Sequence, residues 1–314
     1  MTTPTILDVD TGYDDALALL LALRSPALDV RGVTCVAGNQ RLPQVVVNTL
    51  KIMDVVGADV PVAAGMDRPL IEELREPALL HGHDGMADLG LPPSTRKVLD
   101  VHAVEFMRQT LAASTEPVTI IALAPLTNIA TFLRMYPGLR DRIGEIVIMG
   151  GSAIAHGNTS PLAEFNIRQD PEAAAIVLSS GLPTRLYPLD VFRKVRFNRA
   201  EIDAFAAAAN PVTRTAGRIM QYALSYFQAE WSLIGDAGTV ATVIDPGGCE
   251  VQRLPVTVEL TGAVTRGATI VDRRTAAQRA RPNEWWQTSV HEVDVILDLD
   301  AERYRRVFGE GIRD

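Results

Sequence analysis

Cysteine is scarce: Cys35 and Cys249 are the only two in 314 residues. Two thiols cannot build the disulfide framework of a small secreted scaffold. Both lie in apolar stretches, where a free cysteine serves as a small buried hydrophobe. Long hydrophobic runs are missing as well. The longest, Ala16 to Leu23, is eight residues, far short of the ~20 needed to cross a bilayer. The opening residues MTTPTILDVD hold no basic segment leading into an apolar core and a cleavage site, so no secretory leader is expected. Basic charge is not in excess. Lys and Arg total 30 against 38 Asp and Glu, leaving a formal net charge of −8. Such a field does not steer a chain toward nucleic acid or an anionic membrane. Internal repeats and long linkers are absent too. These absences together predict a cytoplasmic protein forming a single domain over residues 1–314, with neither nucleic acid nor membrane as a partner.

What is present is ordinary globular material, 47% hydrophobic and 22% charged, arranged in alternating strand-like and helix-like segments. Strands are predicted at Thr5–Val9, Val30–Val36, Pro61–Ala64, Val118–Leu123, Ile143–Met149 and Pro183–Leu189. Helices are predicted at Asp14–Arg24, apolar all round and hence buried, at Gln44–Val56, and at Ala173–Ser180, with Pro125 placed to open another. This rhythm predicts an α/β fold: a mainly parallel central sheet with helices on both faces. The last third changes character. Leu254–Leu260, Ala263–Val271 and Val290–Leu297 read as strands, with Thr261-Gly262 as a hairpin turn. The arginine-rich stretch from Arg266 to Arg281 reads as a solvated loop and strand edge.

The densest chemistry lies in Leu7-Asp8-Val9-Asp10-Thr11-Gly12-Tyr13-Asp14-Asp15-Ala16, with four aspartates in eight residues. They fall at the carboxyl end of the first strand and the start of the first helix, the edge where open α/β sheets bind ligands. N-capping accounts for one carboxylate, not for four. Packed carboxylates raise one another's pKa unless a cation compensates, and a hard divalent ion, Ca²⁺ or Mg²⁺, suits an all-oxygen ligand set. Two chemistries use such a site. A phosphatase would attack phosphorus with a strand-end aspartate, but Gly12 stands where that signature wants another residue. A hydrolase would use an aspartate to deprotonate a metal-held water.

Further motifs follow in order. They are Val36-Ala37-Gly38-Asn39-Gln40, His81-Gly82-His83-Asp84-Gly85, Leu123-Ala124-Pro125-Leu126-Thr127-Asn128, Met149-Gly150-Gly151, Gly157-Asn158, Ala163-Glu164-Phe165-Asn166 and Asp170-Pro171-Glu172-Ala173. With the aspartate-rich opening, this series resembles the inosine/uridine-type nucleoside hydrolases over essentially the whole chain. The resemblance implies an open, Rossmann-like architecture and a Ca²⁺ ion that holds the attacking water and the ribose diol. It makes Asp10 both metal ligand and general base, Asp15 a bidentate ligand, the Leu123 carbonyl and Asp236 further ligands. It places Asp14, Asn39, Asn158, Glu164 and Asn166 on the ribose hydroxyls, with Met149 and Phe165 in the same sugar-binding block. A homodimer or homotetramer is the assembly it implies. Carboxylates and amides around a ribose suit the reaction, because N-glycoside cleavage builds positive charge on the sugar. For Asn158, Glu164 and Asn166 the competing reading is turn and cap chemistry.

Two positions depart from the family pattern. Gly235 precedes Asp236 where relatives carry His or Trp, and Phe192-Arg193 follows Pro188-Leu189-Asp190-Val191 where relatives often have Thr-His. The group that serves the departing base is therefore open. His81, His83, Tyr222 and Tyr226 are candidates, the two tyrosines sharing a helix face at a spacing of four, where ordinary packing explains them equally well. The histidine-bearing stretch Glu73–Pro93, rich in Gly, Pro and charge, reads as a lid over the pocket. A leaving group that needs little activation is a second reading. A riboside-binding protein with weak or no hydrolase activity is a third.

Overall fold

The structure, a computed structural model, describes residues 2–75, 79–279 and 291–313. Its strands among those residues are β1 (Thr3–Val9), β2 (Leu28–Cys35), β3 (Val62–Ala64), β4 (Val118–Ala122), β5 (Ile143–Met149), β6 (Thr184–Tyr187), β7 (Arg196–Asn198), β8 (Trp231–Leu233), β9 (Cys249–Val258), β10 (Thr269–Val271) and β11 (Glu292–Leu299). Nine of them form one sheet in the order β10-β9-β11-β6-β5-β4-β1-β2-β3, and β7 and β8 pair separately. From β3 across to β11 every pairing is parallel, while β9 and β10 add an antiparallel edge. This is the mainly parallel, helix-covered α/β sheet that the alternating pattern predicts.

Alternate residues of the central strands feed two cores. Leu7, Val9, Val33, Cys35 and Ile121 pack into the layer on one face. Ile6, Ile120, Ala122, Ile146 and Ile148 pack into the other, as a strand period of two requires when both faces are covered. The helix Tyr13–Ala22 is buried from Asp15 to Ala22. Each of its buried leucines contributes about 1.5–3 kcal/mol, which offsets the cost of holding a carboxylate at its first turn. No helix among the described residues is long and apolar enough to cross a membrane.

Chain order reverses between β1 and β4. The chain steps from β1 to β2 and β3 on one side and continues through β4, β5 and β6 on the other. Asp8 lies opposite Ala122 across this junction, so Asp10 and Leu123 emerge side by side where a ligand crevice forms.

Four local expectations are corrected. The helix after β4 starts at Thr127, and Pro125 lies in the turn before it rather than in its first turn. Thr261-Gly262 is not a two-residue hairpin turn. The β9–β10 connection runs from Glu259 to Ala268, and the Glu259 carboxylate folds it by accepting from the amides of Thr261 at 2.7 Å and Gly262 at 2.9 Å. Arg266 is not solvated: it pairs with Glu72 at 2.6 Å and Glu172 at 2.7 Å. The stretch Glu73–Pro93, which lends Arg75, Leu80 and His81 to the cleft as a lid would, is anchored rather than loose where it is described. Met86 and Leu89 enter the core, Gln44 and Asn48 donate to the Asp84 carbonyl at 3.0 Å each, and Arg218 donates to the Leu89 carbonyl at 2.7 Å. Val290 and Arg281 lie outside the described residues, as do residues 76–78 of the predicted lid. Cys35 is buried as expected, whereas Cys249 is only half-buried.

Candidate active site

The chain leaves β1 at Val9 and needs only three residues to enter the next helix. Asp15 closes that turn, its carboxylate accepting from the backbone N–H of Gly12 at 3.0 Å and of Asp10 at 3.2 Å. A Cβ on Gly12 would collide with the His81 ring and approach Asn39 Nδ2, so glycine is required by close approach. Asp10 is clasped by Asn39, which donates its backbone N–H to Oδ2 at 2.6 Å and its Nδ2 to Oδ1 at 3.2 Å. The same Nδ2 lies 3.2 Å from Asp15 Oδ2. Asp236 stands at the start of the helix Ala237–Ile244. One carboxylate oxygen each from Asp14, Asp15 and Asp236 lies within 4.8 Å of the others.

Asp10, Asp15 and Asp236 are buried, and burial is the first cause raising their carboxyls. Mutual repulsion within the group adds to it, Asp15 acting on Asp10 and Asp14 acting on Asp15 and Asp236. Asp14 Oδ1 is buried without a hydrogen-bond partner among the described residues, and His81 Nδ1 lies 3.9 Å from it. An all-oxygen donor set, an unpartnered carboxylate oxygen and uncompensated charge fit a hard cation. Asp8 does not join this group. Thr34 Oγ1 at 2.6 Å and Asn128 Nδ2 at 2.8 Å both hold its Oδ1, while Oδ2 is buried without a partner among the described residues, and burial pushes its pKa up to about 7.

Asp14 and Asp236 line a cleft of about 740 Å³, and Asp10 and Asp15 are fully buried next to it. Its far wall comes from the strand ends and the helix Phe165–Gln169. Asn166 Nδ2 donates to the carbonyls of Leu123 at 2.9 Å and Met149 at 3.2 Å. Glu164 caps that helix, accepting from the amides of Asn166, Ile167 and Gly151 at 2.9–3.1 Å, and burial pushes its carboxyl up to about 7. Asn158 Oδ1 accepts from the Phe165 amide at 2.9 Å. Cap chemistry and cleft position are thus compatible: Glu164 and Asn158 do both, whereas the Asn166 side chain lines the cleft and ties the strand ends.

The cleft brings together Asp14, Asn39, His81, Leu123, Met149, Asn158, Glu164, Phe165, Asn166 and Asp236. His81 is buried, its ring 4.8 Å from that of Tyr13, and its Nδ1 accepts the Tyr13 amide at 3.3 Å. That bond assigns the proton of the neutral ring to Nε2, and burial lowers its pKa. Other predicted residues fall elsewhere. His83 is exposed, and Tyr222 and Tyr226 do not line the cleft. Tyr222 donates to the Leu80 carbonyl at 3.3 Å and backs Tyr13, while Tyr226 stacks on Tyr222 at 5.9 Å. The helix carrying both tyrosines instead presents Phe227 to the cleft, with Tyr13, Phe192 and Arg193 added from other segments. Phe192 and Arg193 were visible in the sequence as departures. Phe227 gave no signal.

The family model for inosine-uridine preferring nucleoside hydrolases matches residues 5–306. The chain belongs to this family. It is an N-ribosyl hydrolase, as the motif series in the sequence implies. It is 40% identical over 311 residues to the pyrimidine-specific ribonucleoside hydrolase RihA of Escherichia coli O7:K1, spanning 97% of this chain and 99% of that protein. Against the RihA of Salmonella gallinarum the identity is also 40% over 311 residues, with 96% and 98% covered. Among solved structures, the plant nucleoside hydrolase PpNRh1 superposes with a TM-score of 0.92 at 28% identity, covering 99% of both chains. The purine-preferring ribonucleoside hydrolase from Gardnerella vaginalis gives 0.89 at 30% identity, covering 99% of this chain and 98% of that one.

Proposed function

We propose that this hydrolase cleaves the N-glycosidic bond of pyrimidine ribonucleosides to ribose and free base, with Ca²⁺ as its ion and Asp10 as general base. The observation that carries the reading is the convergence of Asp14, Asp15 and Asp236, with Asp10 joined to Asp15 through Asn39, at a cleft that Asp14 and Asp236 line. Asp15, Asp236, Asp10 and the Leu123 carbonyl would hold the ion, and Asp14 lies close enough to join them. When bound, Ca²⁺ supplies Lewis acidity toward water and ribose hydroxyls.

The chain's own residues supply the rest. Asp10, held at both oxygens by Asn39, accepts the proton of the attacking water. Asp14, Asn39, Asn158, Glu164 and Asn166 bind ribose hydroxyls and place C1′ before that water, with Met149 and Phe165 closing around the sugar. The surrounding carboxylates stabilise the positive charge that grows on the ribose. His81 contributes a hydrogen-bond donor at Nε2. The pyrimidine preference follows the two RihA relatives, each aligned over almost its entire length. A phosphatase reading is disfavoured by Asp8, which is fully buried and does not line the cleft, its Oδ1 held by Thr34 and Asn128.

Reducing-sugar release from a panel of pyrimidine and purine ribosides, with and without EGTA, tests the proposal. Phosphate release from monoesters is read in parallel. Uridine or cytidine turnover that EGTA abolishes is the expected result. Phosphate release without sugar release would remove the proposal.

A further inference from the structure

Breaking an N-glycosidic bond leaves an electron pair on the ring nitrogen of the base, and the residues assigned so far all serve the sugar or the water. The geometry points to Arg193, set beside Phe192, as the subsite that receives the departing base. This rests on the N-ribosyl hydrolase reading above.

Three observations carry it. First, Phe192 and Arg193 line the same cleft as the ribose-binding residues, and the Phe192 ring borders Gly235. A Cβ built on Gly235 would stand 3.3 Å from Phe192 Cζ and 2.9 Å from the Asp14 Cβ. The ring edge therefore stands against the space that a side chain at 235 would enter, and an aromatic ring lining the cleft can stack on a planar base. Second, the other cleft-lining arginines are spoken for. Arg75 and Arg168 both pair with Glu72, at 3.3 and 3.0 Å. Arg193 has no carboxylate partner among the described residues. Third, Arg193 is held in place through a neutral acceptor. Its Nη1 donates to His156 Nε2 at 3.2 Å, while His156 Nδ1 faces the Gly157 carbonyl at 2.7 Å, which assigns the ring proton to Nδ1. Asp190, on the same short helix as Phe192, accepts from the amides of Ala153, Ile154 and Ala155 at 2.8–3.1 Å. That clamp fixes the loop bearing His156 and leaves Asp190 committed to backbone rather than to Arg193.

A guanidinium keeps its proton at any working pH, so Arg193 does not protonate the base. It stabilises an anion. As the C1′–N bond breaks heterolytically, the electron pair moves onto the ring nitrogen and is shared with the adjacent carbonyl oxygen. Arg193 N–H groups donate to that oxygen. The water oxygen bonds to C1′ and its proton passes to Asp10. The base anion takes a proton from solvent, and Asp10 returns one to solvent. The substrate class follows: a base with a carbonyl next to the glycosidic nitrogen, as in a pyrimidine riboside.

The test compares uridine with 4-nitrophenyl β-D-ribofuranoside, whose leaving group departs unaided. Arg193→Ala is expected to lower kcat/KM for uridine by about 10²–10³, the usual loss on removing one charge-stabilising donor. Nitrophenolate release should fall no more than about threefold. Arg193→Lys, which keeps the charge without the fork, should fall between, and melting temperatures confirm that both variants fold. Equal losses on both substrates, or no loss on either, overturn the inference while leaving the hydrolase reading intact. A parent enzyme that releases neither ribose nor nitrophenolate overturns both.

Discussion

Asn39 grips Asp10 at both carboxylate oxygens, through its backbone N–H at 2.6 Å and its side-chain Nδ2 at 3.2 Å. The backbone bond survives substitution, whereas the side-chain bond does not. Asn39→Ala therefore leaves Asp10 held on one side only and strips one polar contact from Asp15. The expected outcome is a fall in kcat of about 10-fold to 10²-fold for a donor of this kind, with the melting temperature little changed. Steady-state kinetics with uridine check it.

Asp10→Asn separates chemistry from folding. The substitution removes the proton acceptor and also a buried charge that the fold disfavours. Turnover should drop by at least about 10³-fold, while the metal-free protein melts no lower than the parent. Parent-level turnover in this variant would remove Asp10 as the base.

Metal removal should expose the repulsion within the cluster. At a hundredfold excess over its dissociation constant, a bound ion adds about 2.7 kcal/mol, so EGTA should lower the melting temperature by several degrees as well as the activity. The pH dependence has a definite sign. Burial, then Asp14, raises the folded-state pKa of Asp15 from 3.8 to about 7. Its contribution in the metal-free protein is thus fully present below 3.8 and lost as pH rises toward 7. Melting curves in EGTA should decline across that window, and Ca²⁺ should flatten the decline.

Glu72 has the opposite sign. Burial alone would raise its carboxyl, but hydrogen bonds and charge from Arg168 and Arg266 hold it at about 2, below its ordinary 4.5. Its contribution is present above 4.5 and lost as pH falls through 2. Glu72→Gln should therefore flatten the acid limb of the stability curve. Arg266→Ala, which takes from Glu172 its guanidinium and leaves Glu72 only Arg168 and Arg75, should cost about 1–3 kcal/mol, measurable by denaturant titration.

Gly235 has φ +54°, the left-handed region, and a Cβ there would press on Asp14 and Phe192. Gly235→Ala should cost about 1–2 kcal/mol in backbone strain, plus whatever the collision adds. Only the collision with the ring is relieved by Phe192→Ala, so the double variant should be less destabilised than the sum of the two singles. Strict additivity would show that the two positions are independent.

The parts of this molecule that were legible are those written contiguously. The strand-to-helix turn from Asp10 to Asp15 carries its carboxylates, its glycine and its apolar flanks in one stretch, and periodicity gave the parallel sheet because both faces of its strands are covered. Tyr222 and Tyr226 misled because a helical spacing of four says which residues share a face, not what that face meets, and here it meets Tyr13 and the Leu80 carbonyl. Asp8 looked equivalent to Asp10, yet Thr34 and Asn128 on neighbouring segments hold its Oδ1 and commit it to a structural network. Arg266 looked solvated because its partners, Glu72 and Glu172, lie 194 and 94 residues away in sequence.

The crossing between β1 and β4 has a kinetic consequence. The cleft draws on residues from Tyr13 to Asp236, and parallel pairings cannot be closed by short local turns. Helices can form early from local signals, but the carboxylates meet only when distant strands have registered. On refolding, recovered helix content should run ahead of recovered turnover, and the interval between the two signals would time the closing of the sheet around its most strongly repelling residues.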